Sequence, residues 1–420
     1  MNHPQAGILN RPPDHALFVA LSFVSDDSAT ARTAIEGLRS LIHNELRSDL
    51  DETTPASDKT QPSAETGELG FDDGYDRYHL TITVGFAQSA YNALSVSQDN
   101  QPQDLIPIPW AELGDTNVIK SDNGDVLLQI CSDSIYVNEH VLRRIEHELS
   151  TEFQVVWTQQ GSQRHTTRAG RVSRSEGRAL IGFLDGTSNL DPRHSTDDAQ
   201  LVFVDPGAVS TYPPRTPPPG PSPYGQPEPP SFPDLRQPPT REPDWTKNGS
   251  YAVVRASVVG TPTWDGHPLD EQEHTVGRWK ISGSALDHPD DATQLPAEPD
   301  FAADPSGSIT PLTAHIRKAN PRGPDDASRR IFRRGYPLVL PTVDGMTRGL
   351  VFVCFGRTIT TQFEFITRGW TTNPNFPTPN AGVDAFRQFE TAVLSGGYFF
   401  VPPLSNGSQP WSWVVPAPAA

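Results

Sequence analysis

The feature that most constrains the fold is the order of apolar periodicities in the first 160 residues. Ala16 to Val24 (ALFVALSFV) is an apolar run of strand length, and Ser28 caps a segment whose Ala31, Ile35, Leu38, Leu41 and Ile42 recur at helical spacing. A polar loop over Asp51 to Asp76 follows; strands are then predicted at His79 to Phe86 and Asp125 to Cys131, with a short helix over Ser89 to Leu94 between them. Tyr136 to Leu149 returns to helical spacing, and Glu152 to Trp157 closes the series as a strand. Strand, helix, strand, strand, helix, strand is the order of a ferredoxin-like unit, an antiparallel sheet with both helices on one face.

The later part of the chain runs through the same order without identity between the two stretches. Strands are predicted at Ser250 to Val259 and Tyr398 to Val401, helices at Leu269 to Trp279 and Asp384 to Leu394, and extended segments at Arg330 to Phe332 and Leu350 to Phe355. The expected class is therefore α+β, with tandem ferredoxin-like units. The expected division is an N-terminal unit over 1–160, a connection over 161–204, a proline-rich insertion over 205–247 and a C-terminal unit over 248–420. Between Asp205 and Asp244 lie fifteen of the 43 prolines, which restricts that stretch to polyproline or irregular loop. Its PxxP spacings also suit a proline-recognition ligand.

One stretch of the second unit concentrates chemistry. His315 stands just ahead of Arg317, Lys318, Arg322, Arg329, Arg330, Arg333 and Arg334. A histidine beside arginines is most often a solvated or hydrogen-bonded side chain. In a chain of net charge −18, however, so local a cationic cluster points to an anionic ligand. A haem satisfies both parts, with an imidazole for its iron and arginines for its propionates. A second stretch, Ile181 to Pro192 (IGFLDGTSNLDP), breaks an apolar run with Asp185-Gly186 and the turn formers Thr187, Ser188 and Asn189. Such a turn holds a carboxylate at the rim of a pocket. The acidic balance argues against nucleic acid and anionic membranes as partners.

These residues resemble those of the dye-decolorising peroxidases. The family's GxxDG motif is present as Gly182-Phe183-Leu184-Asp185-Gly186. The similarity continues in order through NGSYAVVR (Asn248 to Arg255), DEQEHTVGRWKISG (Asp270 to Gly283), AHIRKANPR (Ala314 to Arg322), IFRRGYP (Ile331 to Pro337), GLVFVCFGRTITTQFEFI (Gly349 to Ile366) and GGYFFVPP (Gly396 to Pro403). The resemblance covers most of the chain after about residue 180 and implies tandem ferredoxin-like units with haem b in the second. It implies a peroxidase that uses hydrogen peroxide to oxidise dyes and phenolic or other bulky aromatic reductants.

Carried onto this sequence, the resemblance makes His315 the iron ligand and Asp185 the group that moves a proton between the peroxide oxygens. Arg333, eighteen positions beyond the ligand, becomes the distal arginine. Asp384 is expected to hold the second nitrogen of His315, with Glu364 and Glu390 as alternatives. Arg278 with Arg317 or Arg322 is expected at the propionates, and Leu350 and Phe352 at the distal wall. An ordinary aspartate, at ~3.9, stays ionised in acid where a histidine would be protonated, so an acidic optimum is expected. Tyr336, Trp279 and Trp370 are the expected relays for donors too large to enter.

Other readings use the same residues. A haem-binding or deferrochelatase-like protein, handling haem without turning over peroxide, would keep the histidine and the arginines. Cargo of a protein shell would suit the apolar, proline-bearing end WSWVVPAPAA. Cys131 and Cys354 lie in apolar runs and read as buried strand thiols; Cys354 lacks the cationic setting of a thiolate ligand. His140, His147, His267 and His274 read as surface histidines. The polar, proline-broken start and the lack of a membrane-length apolar run predict a soluble, cytoplasmic protein, with a homo-oligomer left open.

Overall fold

The structure, a computed structural model, describes residues 2–47, 79–163, 177–213, 222–342 and 345–405. In the first half, β1 (His15–Phe23), α1 (Ser28–Arg47), β2 (Thr81–Phe86), β3 (Val126–Ser132), α2 (Ile135–Glu148) and β4 (Phe153–Ser162) follow the expected order. The cap of α1 is Asp27 rather than Ser28, its Oδ2 accepting the Thr30 N–H at 2.9 Å. The loop expected at Asp51 to Asp76 and the carboxyl-terminal WSWVVPAPAA lie outside the described residues.

The second half contributes β5 (Ser250–Val259), α3 (Leu269–Val276), α4 (His315–Ala319), β6 (Phe332–Arg333), β7 (Tyr336–Thr342), β8 (Gly345–Gly356), α5 (Ile359–Thr371) and β9 (Glu390–Val401). These nine strands form one antiparallel sheet of order β4-β1-β3-β2-β9-β5-β8-β6, with β7 also on β8; among the described residues Asn2–His3 and Leu404–Ser405 pair separately. The two quartets β4-β1-β3-β2 and β9-β5-β8-β7 repeat the same spatial order. They join edge to edge where Phe86 of β2 pairs with Phe400 of β9.

Residues two apart share a strand face. Leu17, Val19 and Leu21 of β1 therefore pack with Ile35 and Leu38 of α1 and Val141 of α2, while Phe18 and Ala20 turn the other way. That other face meets Val254 of β5, Tyr336 of β7 and Val353 of β8 in a second core, with Phe18 and Tyr336 ring centroids 6.2 Å apart. Burial on both faces is why β1 reads as a continuous apolar run rather than an alternating one. Both cysteines are buried, free and on strands. His140, expected at the surface, is instead buried with Nε2 3.9 Å from the buried Glu45 carboxylate.

The helix expected over Asp384 to Leu394 is not formed. Ala385–Phe389 is a single 3-10 turn, and from Glu390 the chain is strand, pairing with β5 from Val259 onward. The helix between the last two strands of this unit is α5, wound as a π-helix, in a stretch whose β-branched and aromatic residues (ITTQFEF) favour a strand by propensity. What overrides propensity is its start. Asp104 Oδ2 accepts the N–H groups of Ile359 (2.7 Å) and Thr360 (2.9 Å), placing a carboxylate at the positive end of the helix.

The described part of the proline-rich stretch is mostly irregular, but it is bound to the body. Tyr224 and Phe232 pack on Phe376 and Phe365 at 4.9 and 5.7 Å between ring centroids. Arg236 bridges Asp104 (2.8 Å) and Glu364 (3.1 Å), so this segment clasps the outer side of α5.

Candidate active site

The outer face of the second quartet, with Arg255 of β5 and Leu350 and Phe352 of β8, fronts a cavity of ≈ 350 Å³. That is the size of small-molecule and cofactor pockets. Phe363, Ile366 and Trp370 of α5 form part of its wall, and His315, Asp384, Asp185, Arg333, Arg278 and Arg322 all border it.

His315 opens α4. Its Nδ1 lies 2.7 Å from Asp384 Oδ2, and 41% of its side chain is exposed, leaving Nε2 as the ring nitrogen open to the cavity. Asp384 is oriented by its other oxygen, which caps the following turn through the Phe386 N–H at 2.9 Å. Withdrawal from bulk water into the cavity disfavours charge on the His315 ring. The Asp384 carboxylate outweighs that withdrawal by charge and hydrogen bond, Glu390 adds to it and Arg333 opposes, so the imidazole is lifted above its ordinary range. Glu364 and Glu390, the alternatives to Asp384, are committed elsewhere, to Arg236 (3.1 Å) and to Arg255 (2.8 Å).

Asp185 stands half-buried on a turn that needs both glycines of its motif. Gly182 and Gly186 have φ of 89° and 79°, the left-handed region that favours glycine. Asp185 Oδ1 accepts the Gly186 N–H at 2.7 Å. The same loop anchors the arginine. Asn189 receives the Arg333 N–H (3.0 Å) on Oδ1 and donates Nδ2 to the Arg333 carbonyl (2.8 Å), while Arg333 Nη2 donates to the Thr187 carbonyl (2.7 Å). The GxxDG loop and the arginine are thus one hydrogen-bonded piece.

Arg278 and Arg322 converge on a single carboxylate, Glu298. Arg278 Nη2 lies 3.1 Å from Glu298 Oε2 and 3.1 Å from Ser188 Oγ; Arg322 Nη2 also donates to Glu298 and reaches Ser188 Oγ at 3.4 Å. Burial works against charge on Glu298, but Arg278, Ser188 and Arg322 hold its carboxyl down at about 2.

Arg317 does not border the cavity, which corrects the expectation that it reaches a propionate. It is 2% exposed, bonds Asp304 at 2.9 Å and lies over the Phe301 ring. Two residues along a helix is about 200°, so Arg317 turns away from the side that His315 presents. Arg322 comes back because the chain bends there through φ 62°. Tyr336 and Trp370 are 0% and 1% exposed, so neither is a surface aromatic. Cys354 is absent from the cavity wall, and burial pushes its thiol far up.

Asn189 carried only a turn signal in sequence, although its place in DGTSN, beside the carboxylate, was the available clue. Glu298 and Asp104 carried none; each stands in an irregular stretch, Glu298 20 and 24 positions from its two arginines and Asp104 255 positions from Ile359.

Among the described residues no helix is long and apolar enough to cross a membrane. Residues 5–163 match the family model for Dyp-type peroxidase, N-terminal, and residues 234–406 that for Dyp-type peroxidase, C-terminal. Curated relatives include deferrochelatases of Shigella sonnei and Escherichia coli K12. Each is 27% identical, over 94% and 95% of this chain and 81% and 82% of their own length. Among solved structures, a DyP-type peroxidase from Cellulomonas bogoriensis superposes with TM-score 0.69 at 23% identity, covering 99% of this chain and 97% of its own. DtpA from Streptomyces lividans, solved as an oxyferrous/water mixed complex, gives 0.71 at 22% identity over 98% and 96%. An encapsulated DyP-type peroxidase from Mycobacterium smegmatis gives 0.59 at 15% identity over 99% of each chain. These likenesses below 25% identity establish the shared fold. The two family models, together spanning most of the sequence in their proper order, establish the lineage: the chain belongs to the DyP-type peroxidases, a family of haem-binding oxidoreductases.

Proposed function

We propose that this chain is a haem b peroxidase, its cofactor seated in the cavity of the 248–420 unit, that reduces hydrogen peroxide and oxidises dyes and phenolic or other bulky aromatic donors. The observation that carries the reading is the His315–Asp384 pair, 2.7 Å apart, beside a cavity that also receives Asp185 and Arg333. The residues present suit a haem. With Nδ1 engaged by a carboxylate, the imidazole offers Nε2 as a basic ligand. Arg278 and Arg322 form a seat for a carboxylate, and Leu350, Phe352 and Phe363 supply apolar walls.

When bound, haem supplies the redox iron at which peroxide is reduced. The chain's own contribution to that step comes from the GxxDG loop and the arginine tied to it. The Asp185 carboxylate, fixed by the Gly186 N–H, takes a proton from one peroxide oxygen and returns it to the other. Arg333, held by Asn189 and Thr187, supplies a positive charge where negative charge develops as the O–O bond breaks. The test is turnover of a phenolic dye by haem-loaded protein with peroxide, compared with Asp185→Asn. Dye oxidation that is absent in the parent, or equal in the variant, would overturn the reading.

The curated relatives' name, deferrochelatase, supports a second reading at 27% identity, in which the same site handles haem by removing its iron. Appearance of iron-free porphyrin fluorescence on incubating loaded protein, without dye turnover, would favour it.

A further inference from the structure

We propose that Glu298 is a built-in competitor for a carboxylate of the cofactor: it occupies the Arg278–Arg322–Ser188 cradle until a haem propionate takes its place, and so sets the affinity for haem from within the chain. The proposal rests on the haem reading above and deepens it.

The cradle is built to survive the loss of its occupant. Arg278 uses Nη1 to hold the carbonyls of Gly283 (2.8 Å) and Ala297 (3.1 Å), leaving Nη2 for Glu298 and Ser188. Arg322 repeats the division, with Nη1 on the carbonyls of Ile316 (3.2 Å) and Asn320 and Nη2 on Glu298 and Ser188. Ser188 Oγ donates to the other Glu298 oxygen. Two guanidinium groups pinned to backbone, plus a hydroxyl, therefore converge on one point with the donor pattern a carboxylate requires. Arg278 is 4% exposed and its Nε has no partner among the described residues, so this buried cation has unspent donor capacity.

The occupant is mounted differently from its seat. Arg278, Arg322 and Ser188 border the cavity, whereas Glu298 reaches in from outside it. Its side chain is 48% exposed, against 5% and 21% for the two arginines. Glu298 can swing into water at the modest cost of a half-exposed ion pair, while the arginines cannot follow. An entering propionate finds the same donors on the cavity side and restores the charge balance that Glu298 gives up. The seat spans the distal loop through Ser188 and the segment after the ligand helix through Arg322, so the exchange occurs where both sides of the cavity meet.

The test is a titration of apoprotein with haem, with iron-free protoporphyrin IX and with haem dimethyl ester, for the parent and for Glu298→Gln. The variant should bind haem and protoporphyrin about tenfold more tightly, the size expected for two half-exposed ion pairs, and bind the dimethyl ester no differently from the parent. Glu298→Asp, which keeps the charge but shortens the reach, should fall between and guards against a glutamine variant that folds poorly. A parent that takes up porphyrin while Glu298→Gln and Glu298→Asp bind it equally or more weakly would overturn the proposal alone. A parent that takes up none of the three would overturn the haem reading and this proposal with it.

Discussion

Replacing Asp384 by asparagine tests how His315, the proposed axial ligand, is held, because the carboxylate serves two donors at once. Oδ2 faces His315 Nδ1 at 2.7 Å and Oδ1 accepts the Phe386 N–H at 2.9 Å. Asparagine has one acceptor oxygen and satisfies one donor with it. If that oxygen keeps the cap, the amide NH₂ faces Nδ1, and the ring must carry its proton on Nε2, the nitrogen the iron needs. If the oxygen stays on Nδ1, a cap N–H loses its partner. The Asp384 side chain is 3% exposed, so water does not make good either loss. Losing a hydrogen bond to a charged group costs about 1.5–3 kcal/mol, and removing the support behind a metal ligand typically costs ~10–100-fold in affinity. A spectrophotometric haem titration of Asp384→Asn should show weakening in that range. Unchanged affinity with an unchanged spectrum would refute the division of labour read from the two oxygens.

Asp185→Asn should slow the reaction with peroxide by about 10²–10⁴-fold in stopped-flow measurements, since the amide keeps the shape but not the base. Arg333→Leu should slow the same step by roughly 3–4 kcal/mol of barrier; a variant as fast as the parent would show that the arginine is structural. Burial raises the Glu242 carboxyl to about 7, against the hydrogen bonds from Tyr251 and Gln103. A carboxyl raised in the folded state binds its proton more tightly there, so stability falls as pH climbs from about 4.5 to about 7, by roughly 3 kcal/mol. Glu242→Gln should remove that loss, and melting curves of parent and variant that stay parallel from pH 4.5 to 8 would contradict it.

How much was legible depended on where the physical signal lay. β1 and β3 were readable because burial on both faces makes them continuous apolar runs, and α1 and α2 because one apolar stripe recurs at helical spacing. α5 was not, because ITTQFEF argues for a strand locally and becomes a helix through Asp104, some 255 residues earlier in the chain. The expected helix at Asp384 to Leu394 failed for the converse reason: its turn lasts only to Phe389, and pairing with β5 takes the rest. Asp185, His315, Arg333 and Asp384 were reachable through motif resemblance, and the cavity brings all four to its border. Arg317 was not separable from Arg322 without knowing that α4 is five residues long and that the chain turns back at Arg322. Glu298 left no trace in sequence, since its meaning lies entirely in two arginines 20 and 24 positions away on either side.

Iron binding by His315, through the nitrogen facing the cavity, is central to this reading of the site, and the visible spectrum of haem-loaded protein with and without that residue tests it most directly. The parent should take up one equivalent of haem with a Soret band of a histidine-ligated ferric centre. His315→Ala should lose tight uptake, and added imidazole should restore the parent-like spectrum by filling the vacated position. If His315→Ala instead retains stoichiometric haem with an unchanged Soret band, another residue ligates the iron and His315 is not the axial ligand.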